Sequence, residues 1–367
     1  MAADYLRERE GMAGMDECDV LVVGLGPAGA AAATAAAKAG ARVMAVERRQ
    51  SLGGVANCPE FIPVPLGLHA RADHVLIQSI VGARSHHGNG ARADSLLPGC
   101  VINRDAFDRA LIDFSRASGA QVRHDIVFSG LDADHSEATL NQNGRPHIVH
   151  YRALVAADGH ASAVARLIGL PSLKKMFTRR YRVALHAPQD TVDFWLSRRY
   201  PGGYGWLIPA GKDAVLGTGM EEQVAHEALD DLHRQLAGAG LVGDTILSQS
   251  AGAVPVGGLR EKLAWGNILF AGDAAGLAHP LTGAGIHPAV VSGEAAGKAA
   301  AEWASGHLGA IPSYEAKVRG QFSAVLARAL RNREPLEMPF STAYGEPDME
   351  ASGWHVVRGA FEQEFRQ

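Results

Sequence analysis

The sequence predicts an α/β fold: a parallel sheet of βαβ units with an antiparallel sheet inserted into it. Residues 20–23 are a short apolar run, the pattern of a strand buried on both faces. Residues 172–220 instead alternate short strand-like runs with turn residues. Residues 268–271, Ile-Leu-Phe-Ala, return to the buried-strand pattern after that insertion.

The first unit carries the clearest signal. Gly24, Gly26 and Gly29 follow the strand as G-x-G-x-x-G, with Pro27 and Ala28 inside the motif. Residues 30–39 contain no breaker and predict a helix that stops at Gly40; residues 42–46 predict a second strand ending at Glu47. Gly24 permits the tight turn, Gly26 lets a pyrophosphate approach the backbone, and Gly29 lets helix and strand pack closely. The helix start offers free N–H groups and a positive dipole end to phosphates. Glu47 lies 18 residues after Gly29, where a carboxylate accepts from ribose hydroxyls, and Arg48 follows it in the same expected site.

Residues 54–66, with Cys58, Glu60 and several prolines, read as a stiff extended loop. Residues 67–100 are rich in His, Arg, Gly and Asn and read as an excursion over the surface. Asn103 or Asp105 caps a helix on which Phe107, Leu111, Ile112 and Phe114 recur at helical spacing up to Gly119. Residues 120–124 predict a strand, 126–154 a meander, and 154–159 the end of another buried strand. In the insertion, residues 180–187, 191–196, 205–208 and 214–219 predict strands. Residues 221–237 predict an amphipathic helix with Val224, Leu229, Leu232 and Leu236 on one side. Residues 280–285 form a loop, 288–303 a small-residue helix, and the tail reads as helical and charged around Trp354 and Phe361.

Composition bounds the function. A chain of 367 residues holds two intimately joined domains, and 43 glycines suit a fold with many βα turns. The net charge of −4 and pI near 6.5 argue against nucleic acid as a partner. Cys18, Cys58 and Cys100 show no metal spacing and leave an odd thiol, so the expectation is a reducing, cytoplasmic compartment and no metal. Residues 1–16 lack a secretory h-region, and no run of 18 apolar residues predicts a transmembrane span.

Three motifs stand in one order: Gly24-x-Gly26-x-x-Gly29 with Glu47; Ala157-Asp158-Gly159-x-x-Ser162; and Gly272-Asp273-Ala-Ala-Gly276 leading to Pro280-x-x-Gly283-x-Gly285-Ile286. Together they resemble the FAD-dependent oxidoreductases that include the p-hydroxybenzoate hydroxylases and the geranylgeranyl reductases. The resemblance implies a Rossmann-like FAD-binding domain of the glutathione-reductase-type βαβ kind, assigned to residues 17–66, 101–171 and 252–303. It implies an antiparallel-sheet substrate domain packed over the flavin ring, assigned to 67–100 and 172–251, with 304–367 a C-terminal helical segment. By the same resemblance, Asp273 hydrogen-bonds the ribityl chain and Arg104 reaches the FAD linker. Asp158 orders the glycine turn and nearby water, or caps its strand end. Gly283, Gly285 and Ile286 lead into a helix whose N–H groups face the flavin pyrimidine edge, which favours the reduced anion.

Residues 203–209, Gly-Tyr-Gly-Trp-Leu-Ile-Pro, resemble the Tyr-x-Trp-x-Phe-Pro signature of geranylgeranyl reductases, with Ile208 for the Phe. They are equally similar to the Trp-x-Trp-x-Ile-Pro of flavin halogenases, but no lysine lies between Lys38 and Lys174, where halogenases need one. Cys58-Pro-Glu60 stands where the reductases carry a Cys-Gly loop, without the glycine. Tyr204, Trp206 and Cys58 form the expected catalytic set with His279, which either transfers a proton or is simply hydrogen-bonded in its loop. No second strand-turn-helix unit opens on a G-x-G-x-x-G to form a nicotinamide domain, so NAD(P)H reduces the flavin in a transient encounter or a separate reductase supplies electrons. The first expectation is a monooxygenase using O₂ on an electron-rich aromatic, in a polar or peptide-borne substrate. The second is a reductase of isoprenoid double bonds, and the third a flavin-bound assembly protein without turnover.

Overall fold

The computed structural model describes residues 16–53, 60–63, 74–88, 90–197, 199–220 and 225–333. The expectations for Cys58, Val224, Trp354 and Phe361 lie outside the described residues.

In chain order, β1 (Asp16–Val23), α1 (Pro27–Lys38) and β2 (Val43–Glu47) form the first βαβ unit. Next come β3 (Phe61–Pro63), β4 (Leu76–His87), β5 (Arg92–Ile102), α2 (Arg104–Ala117) and β6 (Gln121–His124). The meander β7 (Val127–Asp132), β8 (Glu137–Gln142) and β9 (Arg145–Ala156) precedes a short α3 (Ala163–Leu167). The inserted strands are β10 (Lys175–Leu185), β11 (Thr191–Leu196), β12 (Tyr204–Ala210) and β13 (Asp213–Met220). Then follow α4 (Ala225–Gly238), β14 (Val242–Pro255), β15 (Ala264–Trp265), β16 (Ile268–Phe270), α5 (Ile286–Ala304) and α6 (Ala310–Arg333).

These strands make two sheets. The first has the order β15-β16-β9-β1-β2-β6, parallel from β16 to β6, with β8 and then β7 pairing onto the early part of β9. Val20, Leu21 and Val22 are fully buried, as an apolar run in a sheet covered on both faces must be. Helix α1 packs against α5 through small residues. A methyl on Gly293 would strike the Ala28 carbonyl, and one on Gly297 the Ala32 carbonyl. The i, i+4 spacing puts both glycines on one stripe, so the two helix backbones approach closely. Asn103 caps α2 by accepting from the Ala106 N–H at 3.1 Å.

The second sheet has the order β14-β10-β13-β12-β11-β4-β5-β3, antiparallel except between β11 and β4. Leu229, Leu232 and Leu236 of α4 pack on one of its faces against Tyr181, Val183, Leu207 and Leu216. Period-2 alternation then sends Thr178, Arg180 and Arg182 of β10, and Tyr204, Trp206 and Ile208 of β12, to the opposite face.

Four expectations need correction. The described part of the 67–100 stretch, residues 74–88 and 90–100, is not a surface excursion; β4 and β5 form a long ribbon in the second sheet. Its charged residues misled because they pair within the sheet: Asp193 on β11 accepts from Arg84 at 3.1 Å and meets His86 at 2.7 Å. The strand expected at 180–187 begins earlier, at Lys175. Strand β14 was not expected at all, since its exposed stretch shows no alternation. Phe114 is 52% exposed and lies under the Lys38 ammonium rather than in the core.

Gly297→Val should destabilise the protein by about 1–3 kcal/mol or more, because the new side chain meets backbone that cannot yield. Urea unfolding measures this; an unchanged midpoint would contradict the close helix approach.

Candidate functional site

A cavity of about 280 Å³ opens between the two sheets. The first turn builds one wall. Gly24 has φ +93°, and a methyl there would lie 2.5 Å from the Ala157 oxygen. A methyl on Gly29 would strike the Gly24 carbonyl. Gly26 differs: no atom lies within 4 Å of where its Cβ would be, and the residue lines the cavity with Pro27 and Ala28. The first and third glycines therefore serve the chain's own packing, and the second leaves room for a ligand. No side chain caps α1, so its first N–H groups remain for an anion.

Glu47 is buried, and its oxygens are engaged. Oε2 accepts from the Leu25 N–H at 3.0 Å, and Oε1 from the backbone and side chain of Arg49, each at 3.1 Å. Burial pushes its pKa up, but the Leu25 amide and the Arg49 guanidinium outweigh it and hold it below the usual range. Glu47 thus fixes the glycine turn from behind and is not among the residues that line the cavity. Arg48 is exposed and does not line the cavity; Arg49, the next residue, does. The strand ends at Glu47, and the carboxylate holds Arg49 inward.

Asp158 accepts from the Val164 N–H at 3.1 Å through Oδ2 and so supports the first turn of α3, whose cap is Ser162, while Oδ1 is buried without a partner among the described residues. Burial raises its pKa. Its neighbours Ala157 and Gly159 line the cavity. Arg104 donates to Asp108 at 2.8 Å, and both side chains face the same space. Asp273 lies in a 3₁₀ turn at Gly272–Ala275, and burial raises its pKa to about 6 against the opposing charge of Arg104. Gly272, with φ +59°, donates to Ser292 at 3.0 Å.

The loop before α5 closes the cavity. Gly283, Gly285 and Ile286 line it, and no side chain caps α5. Tyr204 Oη donates to the Thr282 carbonyl at 2.5 Å, and Arg333 Nη1 to the Pro280 carbonyl at 2.8 Å. His279 Nδ1 accepts from the Thr282 N–H at 3.3 Å, and the residue is not among those lining the cavity. Burial, helped by Arg328, lowers its pKa to about 4, so at neutral pH it is a neutral acceptor in the loop.

Tyr204 and Trp206 face the cavity from β12, with ring centroids 5.6 Å apart. Trp206 Nε1 is buried with no partner among the described residues. Met176, Thr178, Ala253 and Val254 complete this wall. These four were missed because β10 was read as starting at Arg180 and β14 was not read. Glu60 is turned towards β10, where it pairs with Arg180 at 2.9 Å and Arg182 at 2.7 Å.

The family model described as FAD dependent oxidoreductase matches residues 19–158. The chain is 35% identical over 314 residues to digeranylgeranylglycerophospholipid reductase 2 of Methanopyrus kandleri, covering 78% of this chain and 77% of that one. The chain belongs to this family of FAD-dependent oxidoreductases. It is also 30% identical over 343 residues to the digeranylgeranylglycerophospholipid reductase of Methanocella arvoryzae, covering 87% of each. Among solved structures it is similar to a geranylgeranyl bacteriochlorophyll reductase-like protein from Thermoplasma acidophilum, with TM-score 0.82, 24% identity, and coverage of 96% and 100%. A probable FAD-dependent monooxygenase from Pseudomonas aeruginosa shares the fold at TM-score 0.71 and 20% identity, with coverage of 95% and 100%. The enzyme is an FAD-dependent oxidoreductase, and NAD(P)H is the electron donor typical of its family. The open position at Gly26, two uncapped helix starts and the unpartnered Trp206 Nε1 fit a flavin dinucleotide between the sheets.

Purified protein should be yellow and release FAD on heating, and Gly26→Val should be colourless, its side chain filling the phosphate approach. A variant with full FAD content would refute this use of the turn. Glu47→Ala should weaken FAD by about 1.5–3 kcal/mol, the range for charged hydrogen bonds; equilibrium dialysis that finds no change would exclude a role for the carboxylate.

The loop histidine gives a pH test. Its folded pKa of about 4 lies below the ordinary 6.5, so its neutral form contributes stability above pH 6.5 that is lost as pH falls towards 4. Asp273, raised to about 6, acts oppositely: its contribution is present at low pH and lost as pH rises through 6. His279→Gln should therefore flatten the acid loss of apo-protein stability between pH 6.5 and 4, and Asp273→Asn should steepen it. Identical urea midpoints across that range would contradict both.

Proposed function

We propose that the enzyme reduces carbon–carbon double bonds in a geranylgeranyl-type isoprenoid chain. The observation that carries this is the wall opposite the FAD-binding turn. Met176, Thr178, Tyr204, Trp206, Ala253 and Val254 line it, and none carries a charge at neutral pH. An uncharged wall with two aromatic rings suits a long hydrocarbon better than a polar or peptide-borne substrate. The names of the relatives, which are reductases of geranylgeranyl lipids, support the same reading.

Each double bond takes up two electrons and two protons, drawn from NAD(P)H, or from a partner reductase, and from water. Reduced FAD, when bound, supplies the hydride. The chain's own residues bind and orient. Uncapped α1 and α5 present N–H groups to anionic parts of the cofactor. Trp206 and Tyr204, both buried, exclude water and hold the hydrocarbon against the reacting face. His279 holds the α5 entry loop as a neutral acceptor. Cys58 lies outside the described residues and is assigned no step.

Hydroxylation with O₂ is the second reading. The monooxygenase similarity extends over 95% of the chain, but at 20% identity it speaks for the fold. The described part of the polar 67–100 stretch that favoured it belongs to the β4–β5 ribbon.

Anaerobic single turnover separates the readings. Pre-reduced enzyme mixed with a geranylgeranyl lipid should reoxidise without O₂ and yield saturated product. Reoxidation that requires O₂ and gives a hydroxylated product would overturn the reductase reading. Trp206→Ala should lower kcat/KM for the lipid by about 10–100-fold through lost positioning, without loss of FAD.

A further inference from the structure

Strand β13 carries a glycine at each place where it passes beneath the aromatic wall. The register pairs Gly217 with Trp206 and Gly219 with Tyr204, and on the other side it pairs Gly219 with Thr178. Leu216 packs on the α4 face, so alternation turns Gly217 and Gly219 to the face of the cavity. Neither has a positive φ, so the backbone conformation does not require glycine there. Neither lines the cavity, since the side chains of Trp206 and Met176, which do line it, lie over them.

Space is what requires glycine at both positions. A methyl on Gly217 would lie 2.3 Å from Trp206 Cζ2 and 2.5 Å from Cε2, and one on Gly219 would lie 3.5 Å from Trp206 Cζ3. The indole therefore fills the room that two side chains would take. A methyl on Gly219 would also lie 3.0 Å from both Cε and Sδ of Met176. Met176 Cε is in turn 3.5 Å from where a methyl on Gly283 would stand, so it bridges the sheet and the α5 entry loop. Carbon atoms settle at about 3.5–4 Å, so a side chain at position 219 would push the end of Met176 by about 0.5–1 Å. The flexible thioether has the cavity to move into. Position 217 is stiffer, because a methyl there also meets the Arg179 carbonyl of β10 at 2.8 Å.

We propose that Gly219, with Gly217 beside it, is a specificity-determining residue: it lets Met176 and Trp206 sink into the sheet and so leaves a slot wide enough for a chain with a methyl branch at each double bond. The branched hydrocarbon rests on the reductase reading; the width of the slot rests on the glycines. A narrower slot would still pass an unbranched chain. One methyl group in an apolar pocket changes selection by about 10–200-fold, so the effect is large enough to measure.

Calorimetric titration of the FAD-loaded protein tests this, with geranylgeraniol and with an unbranched alcohol of the same backbone length and number of double bonds. Gly219→Ala should weaken geranylgeraniol by about tenfold or more, while affinity for the unbranched alcohol, FAD content and unfolding midpoint stay as in wild-type. In a Met176→Ala background the same glycine substitution should cost little, because the displaced end is gone. A Gly219→Ala protein that binds geranylgeraniol as wild-type does, or that loses both alcohols equally, overturns the proposal. So does a selective loss that persists in the Met176→Ala background. Where Gly219→Ala lowers FAD content or the midpoint, Met176→Phe narrows the slot from β10 and must show the selective loss; equal loss of both alcohols there overturns the proposal. Anaerobic mixing of pre-reduced wild-type with geranylgeraniol keeps the two readings apart. A selective loss in Gly219→Ala without wild-type reoxidation overturns the reductase reading and leaves the slot. Wild-type reoxidation with unchanged affinities in Gly219→Ala overturns the slot and leaves the reductase.

Discussion

The hydrogen bond from Tyr204 Oη to the Thr282 carbonyl joins the two halves of the site. One partner stands on the inserted sheet and the other on the loop that leads into α5. A single such bond contributes only about 1 kcal/mol, too little to fix a loop by itself. The loop is held from three sides, since Arg333 reaches the Pro280 carbonyl and His279 accepts from the Thr282 amide. Fixing the loop fixes where α5 begins. That start and the start of α1 are the two uncapped helix ends on the cavity, and they set where an anionic cofactor can lie.

Burial divides the charged groups around the cavity by task. Glu47 stays ionised because an amide and a guanidinium meet its oxygens. At Asp273 burial outweighs the opposing Arg104 charge, and the proton is held to about pH 6. Such a carboxyl awaits hydrogen-bond donors, which the hydroxyls of a bound cofactor would supply. The charged side chains Arg49, Arg104, Asp108 and Asp273 belong to the half of the cavity built by the first sheet and its helices, whereas the wall from the second sheet is uncharged. The separation matches an enzyme that grips a charged cofactor while offering a hydrocarbon a dry surface.

The first βαβ unit was legible because its strand–turn–helix pattern is local: a methyl on Gly29 collides with the carbonyl of Gly24 in the same turn. The cap of α2 was legible only as Asn103 or Asp105, and the structure selects Asn103. What depended on distant partners was not. Glu47 ends its strand as expected, but its bond to Leu25 crosses 22 positions and its hold on Arg49 makes that residue, not Arg48, the arginine that lines the cavity. Strand β14 exposes Ile246 and Leu247 at a sheet edge and owes its shape to the ladder with β10. The Arg180–Glu60 pair spans 120 positions, so no spacing rule announces it. The aromatic pair was legible as a motif; that it faces the FAD-binding turn required the sheet's alternation.

The central claim is that the flavin ring lies between the α5 entry and the Tyr204–Trp206 wall. Tryptophan and tyrosine in contact with a flavin quench its emission by electron transfer, and these two are the aromatic side chains among the described lining residues. The flavin fluorescence lifetime of wild-type and Tyr204→Phe/Trp206→Phe protein, both fully loaded with FAD, measures that contact directly. The expected result is a bound flavin that is nearly dark in wild-type and emits with a long lifetime in the double variant. Equal lifetimes in the two proteins would place the flavin ring away from this wall and contradict the account.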